Sequence, residues 1–528
     1  MPSAVFTSPR QLVSKYVSSK PLTTKDAVHR TARNRLLPVL RLCSDVLEYL
    51  FLVAAAMEHS PASLRRSVMA YSQTCHDWRI IALSSKRLWT RMVDFEDASR
   101  SWNEEMLRRS YPLSIQLSYQ ADFSRGASSL AFQLEQLPRI RTYSLGCQDT
   151  DWDVLVSMLT RPAPVLEELY ITCYRTFGHN ILTTPILPWS LFDGTAPKLR
   201  RVEMKECIID LRSPLLRTLT ALRVIDLSYD NAPTASQWVR HLRNMPSLKE
   251  LYLQGAILPT RFHSSIDKSS DDNPMPLIDN LNIEAPLTDV ALLVRNLPKP
   301  TKSQWTLTCS NASPGSDLEQ VMDVLSSSII SINQHDSAGL AHLLLAARET
   351  DIFLRSEMPS TNPQESEPEI GISVSFHTPS FHLWETLFPA VASVLNTIMP
   401  KITSLEMILP TINPSLLSLL QRATALTTLV KLSSKMTRDL IPQLQISLPS
   451  GEIALPALES IVFTDDKSMW GWNYQSFLGY LRWRAQNKLP IRNVYFVGCL
   501  ILEEVANELM DLGVTVHGNL EGVRWQNL

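Results

Sequence analysis

Few side chains in this sequence are of a type and spacing that could carry out catalysis. Cys75 and His76 are the residue types of a thiol nucleophile and its base, but fold geometry rather than adjacency makes such a dyad. Asp465 and Asp466 offer two carboxylates to a cation, too few oxygen ligands for a calcium site. The sequence has no phosphate-binding P-loop, G-x-G-x-x-G, H-E-x-x-H or G-x-S-x-G motif. We therefore expect no catalytic residues, no metal and no cofactor.

The cysteines and the charge balance limit the compartment and the partners. Seven cysteines are dispersed along the chain: Cys43, Cys75, Cys147, Cys173, Cys207, Cys309 and Cys499. An odd number without any C-x-x-C pair is typical of reduced thiols in a cytosolic or nuclear protein. The net charge of −2 favours neither nucleic acid nor an anionic membrane as partner. The longest apolar run, residues 49–57, is too short to cross a bilayer.

The first residues are basic and poor in acids. Residues 1–41 carry a single acid, Asp26, against these cations: Arg10, Lys15, Lys20, Lys25, Arg30, Arg33, Arg35 and Arg41. This composition predicts a disordered basic tail over residues 1–35. An organellar transit peptide is the alternative, and it would conflict with a cytosolic or nuclear location.

Residues 36–95 are dense in aliphatic and aromatic residues at helical spacing. One face of a first helix is predicted to hold Leu42, Val46, Leu47, Leu50 and Phe51. The pattern continues through Trp78 and closes at Leu88 and Trp89. We expect a three-helix unit, too small to be very stable alone, joined to the rest of the chain by residues 96–136.

From residue 137 onwards a short phrase recurs, Leu-x-x-Leu-x-Leu, with other aliphatic residues at some positions. It begins at Ile140, Leu166, Leu199, Leu222, Leu248, Ile278, Ile402, Leu458 and Ile491. The first six are spaced by 26, 33, 23, 26 and 30 residues, close to the period of a leucine-rich repeat. The pattern predicts a repeat array over residues 137–528, with parallel strands on the concave side and full helices outside. Cys207 and Cys499 fall just after a predicted strand, where we expect buried structural thiols.

Alternation along a strand predicts which side chains face outward. The apolar positions of the phrase point inward, and the residues between them point out. For four strands the outward positions are Glu168, Tyr170 and Thr172; Arg201, Glu203 and Lys205; Val224, Asp226 and Ser228; and Glu250, Tyr252 and Gln254. Because Tyr and Arg are enriched at hot spots, we predict a partner-binding surface here. The alternative is a solvated face on which charges such as Glu168 and Arg201 simply pair across strands.

Between residues 284 and 401 the phrase is weak. The alternation around Trp305 and around Ile372 predicts two strands of degenerate repeats, and residues 318–332 and 381–399 predict helices. Exposed loops rich in Pro, Ser and acids are predicted at residues 259–276 and 356–370.

The helical block resembles the F-box motif. Its second half reads TCHDWRIIAL from Thr74 and ends in Leu88-Trp89, similar to the family's Val-Cys-basic-x-Trp-basic-x-x-Ala and Leu-Trp. Its first half, LCSDVLEYLF from Leu42, has Cys43 where the family has proline. Residues 102–117 also resemble the helix and Pro-Leu-Ser strand that follow the F-box in proteins abundant in some fungi.

The resemblance implies a role in ubiquitin conjugation. An F-box docks on the Skp adaptor of a Skp–cullin–F-box ubiquitin ligase, and the repeats present a protein substrate, so the chain would be a non-catalytic subunit. The matching positions, some facing the adaptor and some packing the helices, are Leu42, Val46, Leu47, Cys75, Trp78, Leu88 and Trp89. The expected fold is α/β, an F-box-like module followed by an irregular leucine-rich-repeat solenoid. The alternatives are a repeat scaffold without ligase association and an enzyme whose site the sequence does not reveal.

Overall fold

The computed structural model of the chain describes most of its residues. They are 32–34, 36–58, 61–95, 98–121, 132–175, 184–228, 232–259, 273–298, 304–335, 342–348, 350–357, 371–377, 383–430, 434–445, 453–464, 474–497 and 503–518. The tail up to residue 31, most of both predicted loops, the Asp465–Asp466 pair and Cys499 lie outside these residues. The chain forms two compact units, unit 1 (residues 1–145 and 163–166) and unit 2 (residues 146–162 and 167–528).

Unit 1 begins with helices. They are α1 (Ser44–Ala56), α2 (Pro61–Thr74), α3 (His76–Ser84), α4 (Lys86–Thr90) and α5 (Arg100–Ser110). Strands β1 (Ile115–Ala121) and β2 (Ile140–Gln148) follow, and the last residues of β2 belong to unit 2. Between residues 44 and 95 the described chain therefore has four α-helices, preceded by the 3₁₀ turn Pro38–Arg41, where three helices were predicted for residues 36–95. The additional break comes at Cys75, whose Sγ accepts a hydrogen bond from the Trp78 N–H and so caps α3.

Unit 2 is built on a large, mostly parallel sheet. Its strands are β3 (Glu168–Tyr174), β4 (Ile186–Leu187), β5 (Arg201–Lys205), β6 (Ile208–Ile209), β7 (Ala221–Ile225), β8 (Glu250–Gln254), β9 (Asn280–Pro286), β10 (Gln304–Ser310), β11 (His342–Ala347), β12 (Asp351–Glu357), β13 (Gly371–His377), β14 (Ser404–Ile408), β15 (Thr428–Val430), β16 (Ser460–Thr464), β17 (Asn493–Val497) and β18 (Thr515–Gly518). Their order is β3-β5-β7-β8-β9-β10-β13-β12-β11-β14-β15-β16-β17-β18, and β4 pairs with β6 separately.

The helices of unit 2 lie mostly between consecutive strands and pack on one another. They are α6 (Trp152–Met158), α7 (Ala235–Leu242), α8 (Leu287–Asn296), α9 (Ser316–His335), α10 (Leu383–Thr386), α11 (Phe388–Leu395), α12 (Pro414–Gln421), α13 (Ser434–Leu444), α14 (Tyr474–Gln486) and α15 (Glu503–Asp511). The helix predicted at 318–332 is confirmed as α9, and that at 381–399 is divided into α10 and α11. The prediction that the longer intervals hold full helices was wrong for the interval from Leu166 to Leu199, because its described residues hold the 3₁₀ turn Leu191–Gly194. The next connection, from β5 to β7, holds the 3₁₀ turn Pro214–Thr218.

The prediction that all strands run parallel was also wrong at one place. The strands predicted around Trp305 and Ile372 are present as β10 and β13 and pair in parallel. Between β13 and β11, however, lies β12, which runs antiparallel to both neighbours. Only residues 348–350 connect β11 to β12, and the Arg348 N–H bonds to the Asp351 carbonyl at 2.8 Å. A connection this short can join adjacent strands only as an antiparallel hairpin.

Inward side chains of neighbouring strands stack in register and form the core. One row runs across six strands: Leu169, Val202, Leu222, Leu251, Leu281 and Trp305. All six are almost completely buried. No strand with its connection can cover its own apolar side, so each one depends on its neighbours in the stack.

At β7 the predicted register was wrong by three residues. The phrase was placed at Leu222, but the sequence around it also fits a phrase that begins at Leu219. In the structure Leu219, Leu222 and Val224 are the buried positions, and Ala221 pairs in register with Arg201. The outward residues of β7 are therefore Ala221, Arg223 and Ile225 in place of Val224, Asp226 and Ser228.

A fully buried arginine joins the last connections of unit 2. The Arg484 guanidinium on α14 donates to the backbone carbonyls of Ala454, Leu455, Leu458 and Leu489 at 2.9–3.3 Å. These carbonyls belong to the segments that precede β16 and β17. Because buried carbonyls need donors, this side chain fixes both segments to the helix.

We expect Arg484→Met to destabilise this end of the sheet by about 3–5 kcal/mol, since four carbonyls lose their hydrogen bonds from the buried guanidinium. Hydrogen exchange of β16 and β17 should accelerate accordingly. Arg492→Met is the control, because Arg492 is largely exposed and its ion pair with Glu459 contributes at most about 1 kcal/mol. Equal exchange rates in the two variants would contradict the role assigned to Arg484.

None of the helices in the described residues has the length and apolar character needed to span a bilayer.

Candidate functional site

Helix α1 is apolar on two faces. Leu47, Phe51 and Ala55 lie one turn apart and are buried against the other helices of unit 1. The opposite side carries a second apolar row at helical spacing, Val46, Tyr49, Leu50, Val53 and Met57, whose exposed fractions run from 39% to 71%. We call this row the α1 stripe. A helix that is hydrophobic all round is normally covered on every side, so the α1 stripe is a candidate protein contact.

The structure separates the predicted adaptor-binding positions into inner and outer ones. Leu42 precedes α1 and is exposed, and Val46 and Leu50 belong to the α1 stripe. The prediction that these three residues share one helix face with Leu47 and Phe51 was therefore wrong. Leu47, Leu88 and Trp89 are buried in unit 1, and Cys75 and Trp78 are half-buried. Sequence reasoning missed Tyr49, Val53 and Met57 as outer residues. Their signal was a second row at helical spacing within the apolar run 49–57.

Aromatic side chains hold α1 to the rest of unit 1. The Phe51 ring stacks on Tyr71 at 4.7 Å between centroids and meets Trp78 edge-on at 4.9 Å. Burial raises the pKa of Tyr71, and the nearby Glu58 carboxylate adds to this effect. Such pairs contribute about 0.5–1.5 kcal/mol each beyond their buried area. The inner face of α1 therefore has a defined orientation, which fixes the direction of the α1 stripe.

A second contact set secures Trp89. Its indole N–H donates to the Leu83 carbonyl at 3.3 Å, and the Arg109 guanidinium lies 4.5 Å from its ring centroid. Arg109 is held in turn by Glu105, whose Oε1 accepts from Arg109 Nε at 2.6 Å. Hydrogen bonds from Arg108 and Arg109 lower the pKa of Glu105 to about 2. Trp89 thus joins α4 to α5 and faces no solvent.

The outward face of β3 to β8 carries most of the predicted partner-binding residues. Seven of the eight lie on it, at half-buried or exposed positions in register: Glu168, Tyr170, Arg201, Glu203, Lys205, Glu250 and Tyr252. Asp226 does not, since it follows β7 at a positive φ of 55°, and Ser228 is buried against Thr184. The residue that sequence reasoning missed is Arg223, and the correct phrase at Leu219 would have revealed it.

The charges on this face are largely paired with each other. Arg201 reaches Glu250 at 2.9 Å, Arg223 Nη1 lies 3.8 Å from Glu203 Oε2, and Arg223 also stacks over Tyr252 at 4.2 Å. Lys205 lies 3.8 Å from Asp226, and the Tyr170 hydroxyl donates to Glu168 at 3.2 Å. Burial raises the pKa of Tyr170, and the Glu168 carboxylate contributes to the rise. The cross-strand pairing expected for a solvated face is therefore present, although Arg201 bonds to Glu250 two strands away.

The long reach of Arg201 depends on a small residue. Ala221 lies between Arg201 and Glu250 in the sheet, and its methyl group leaves room for the guanidinium to pass over β7. The same small side chain forms the floor of a depression of about 240 Å³, which Tyr252 and Asn280 also line. At this volume the depression is smaller than a typical small-molecule pocket of roughly 300–1,000 Å³.

The candidate chemical groups are in structural positions. Cys75 caps α3, and His76 Nδ1 lies 3.4 Å from the Asp77 carboxylate. Cys207 is buried just after β5, as expected, and its Sγ donates to the Ile171 carbonyl at 3.7 Å. The described residues contain no group of three or more His, Cys, Asp or Glu side chains arranged to hold a metal ion.

Thiol reactivity should follow burial. Burial raises the pKa of Cys207 and of Cys309, and a hydrogen bond with Cys173 together with burial raises the pKa of Cys147. Since the thiolate is the reactive form, iodoacetamide at pH 8 should modify exposed Cys43 and leave these three intact in the folded chain. Peptide mass spectrometry would measure the extent at each site. Alkylation of Cys207 at the rate of Cys43 would contradict its assigned position in the core.

No protein-family model matches the chain, and no curated protein sequence matches it significantly.

Proposed function

We propose that this chain is the substrate-recruiting subunit of a Skp–cullin–F-box ubiquitin ligase. Residues 36–95 of unit 1 would be the F-box-like module, and residues 137–528, most of them in unit 2, would be an irregular leucine-rich-repeat array that holds a protein substrate. The observation that carries the proposal is the α1 stripe, a solvent-exposed apolar row on the helix that resembles the first F-box helix. The proposal gives the protein no catalytic residue and places it in the cytoplasm or nucleus, where such ligases work.

In this proposal the adaptor covers the α1 stripe, and Leu42 adds to the contact at its N-terminal end. Leu47, Leu88 and Trp89 act indirectly, because they are buried and hold α1 in place. A repeat scaffold without ligase association is the alternative, and the observation that favours it is Cys43 at the family's proline position. Its side chain makes no capping hydrogen bond to α1. Adaptor binding distinguishes the two functions.

We expect the double substitution Val46→Asp and Leu50→Asp to abolish co-purification with the Skp adaptor while leaving the fold intact. Exposed helix positions tolerate polar residues within about 0.5 kcal/mol, whereas two carboxylates buried in an apolar contact would weaken binding by well over tenfold. Val154→Asp is the matched control, since Val154 on α6 is 44% exposed and Val46 is 42% exposed.

Trp89→Ala provides the complementary result. Removing this buried ring should cost about 3–5 kcal/mol and should lower both the melting temperature of unit 1 and adaptor binding. If the double variant co-purifies with the adaptor as well as the parent chain does, the α1 stripe is not the docking surface and the ligase proposal is wrong.

For the substrate we propose the outward face of β3 to β8 as one contact surface. Replacing Tyr170, Glu203 and Tyr252 together by alanine should change the melting temperature by only a few degrees, because exposed pairs contribute about 0–1 kcal/mol each. The same variant should lose partners in a proximity-labelling profile. The double variant Arg100→Ala and Glu104→Ala removes an exposed ion pair of α5 and serves as control. An unchanged partner profile would refute this part of the proposal.

A further inference from the structure

A recess in unit 2 is lined by residues of the short strands β4 and β6 and of helix α7. Its volume is about 270 Å³. Part of its lining is apolar, and the polar part consists of Asp210, Arg212, Gln237 and His241. We call it the α7 recess. Its lining residues are not among the outward residues of β3 to β8, so it is a separate surface of the unit.

The apolar part of the lining can hold one aliphatic or aromatic side chain. Ile186 and Ile208 are register partners in the β4–β6 pair, and Leu211 and Pro233 also line the recess. Ile208 and Leu211 are buried, whereas Ile186 is 48% exposed, so the recess opens at the surface. Small-molecule pockets have volumes of roughly 300–1,000 Å³, so the α7 recess suits a single side chain of a larger partner better than a free ligand.

The hydrogen-bond acceptors of the polar lining are already engaged within the chain. Asp210 Oδ1 accepts from the backbone N–H and from Nε of Arg212, both at 3.0 Å, and Asp210 Oδ2 accepts from Arg212 Nη2 at 2.7 Å. Gln237 Oε1 accepts from the Thr234 N–H at 2.8 Å, in the capping box that begins α7. His241 Nδ1 is buried and therefore out of reach of a ligand.

The donors beside these acceptors are available. Arg240 lies one turn beyond Gln237 on the same face of α7, and its side chain is exposed. Among the described residues, neither the Arg240 guanidinium nor Gln237 Nε2 has a hydrogen-bond or ion-pair partner. The Arg212 guanidinium uses only Nε and one Nη2 hydrogen on Asp210, which leaves its other N–H groups free. The side chains around the recess therefore offer donors rather than acceptors.

The charge around the recess is also positive. Asp210 and Arg212 neutralise each other, and Arg240 adds one positive charge. Burial lowers the pKa of His241, and the adjacent Arg240 lowers it further, so the imidazole is uncharged at neutral pH. Free donors and a net positive charge together are complementary to a carboxylate, which only accepts hydrogen bonds.

An exposed tryptophan next to the recess indicates that the carboxylate belongs to a protein. Trp189 follows β4 and is 61% exposed, and its carbonyl accepts from Ser213 Oγ at 3.2 Å, one residue beyond Arg212. Tryptophan is enriched at the hot spots of protein interfaces. A nucleic-acid backbone could accept from the same donors, but it has no aliphatic group to fill the apolar part of the recess. An acidic peptide with an apolar residue supplies both.

We propose that the α7 recess binds a short acidic segment of a protein partner. An aliphatic or aromatic side chain of the segment fills the recess, and a neighbouring Asp or Glu carboxylate accepts hydrogen bonds from Arg240 and Gln237. The inference goes beyond the proposed function, because it requires neither adaptor docking nor a substrate on the outward face of β3 to β8.

Two peptide display libraries panned against the full-length chain test this proposal. Both present about 12 residues; one fixes two aspartates among randomised positions, and the other has asparagines in place of these aspartates. We expect enrichment from the aspartate library, with an aliphatic or aromatic residue within two positions of an aspartate. The selected peptide is then synthesised with a fluorescein label, and its Kd is measured by fluorescence anisotropy.

Variants of the chain locate the peptide. Arg240→Glu and Ile186→Asp should each weaken binding at least about tenfold, because the first repels the carboxylate and the second places a charge in the apolar part of the recess. Both side chains are exposed in the free chain, so both variants should fold as the parent does. Arg422→Glu, at the C-terminal end of α12, and Val154→Asp are the matched controls with exposed side chains. Each control should change the Kd less than about twofold.

Four results would overturn the proposal. They are equal enrichment from the asparagine library, a Kd indifferent to Arg240→Glu and Ile186→Asp, an equal loss of affinity with Arg422→Glu, and dimerisation of the chain that Arg240→Glu abolishes. The third would mean that the peptide responds to overall charge, and the fourth would assign the recess to a second copy. Displacement of the peptide by a single-stranded RNA of similar length at lower concentration would also overturn it, in favour of a nucleic acid.

Discussion

Burial of apolar side chains at fixed spacing is the constraint on which the rest of this structure depends. In unit 2 the buried positions of each Leu-x-x-Leu-x-Leu phrase meet those of the next strand in register, as Leu222 meets Val202 and Leu251. A parallel sheet places such positions side by side, and the intervening connections cover the inward face. The outward residues are then fixed by alternation alone. This is why charges as distant in sequence as Arg201 and Glu250 come within hydrogen-bond distance.

The same constraint identifies an apolar surface that the described residues of unit 1 leave exposed. The α1 stripe is a row at the spacing of a helix face, yet the described residues of its own unit leave it exposed. The charged face of β3 to β8 satisfies most of its charges internally, so as a substrate surface it would contribute more to specificity than to affinity. The α1 stripe would gain the most from being covered, so it carries the docking proposal.

Sequence alone predicted the regular parts of this architecture because they repeat a single local pattern. The phrases at Leu166, Leu199 and Leu248 predicted both the strands and the correct outward residues. At β7 two overlapping phrases fit equally well, and only pairing with β5 and β8 selects Leu219. The antiparallel β12 could not be predicted from a phrase that assumes parallel strands. The residues of α1 could not be assigned to inner and outer faces, because a helix that is apolar on two faces gives no sequence signal for which of them is buried.

Titration calorimetry of the full-length chain with the Skp adaptor at several temperatures tests the central claim most directly. If the adaptor covers the α1 stripe, binding should show a clearly negative heat-capacity change, the mark of apolar burial. This heat-capacity change should disappear in the double variant Val46→Asp and Leu50→Asp. It should persist in the control variant Val154→Asp. Absence of binding by the parent chain, or binding with a heat-capacity change near zero, would contradict the account.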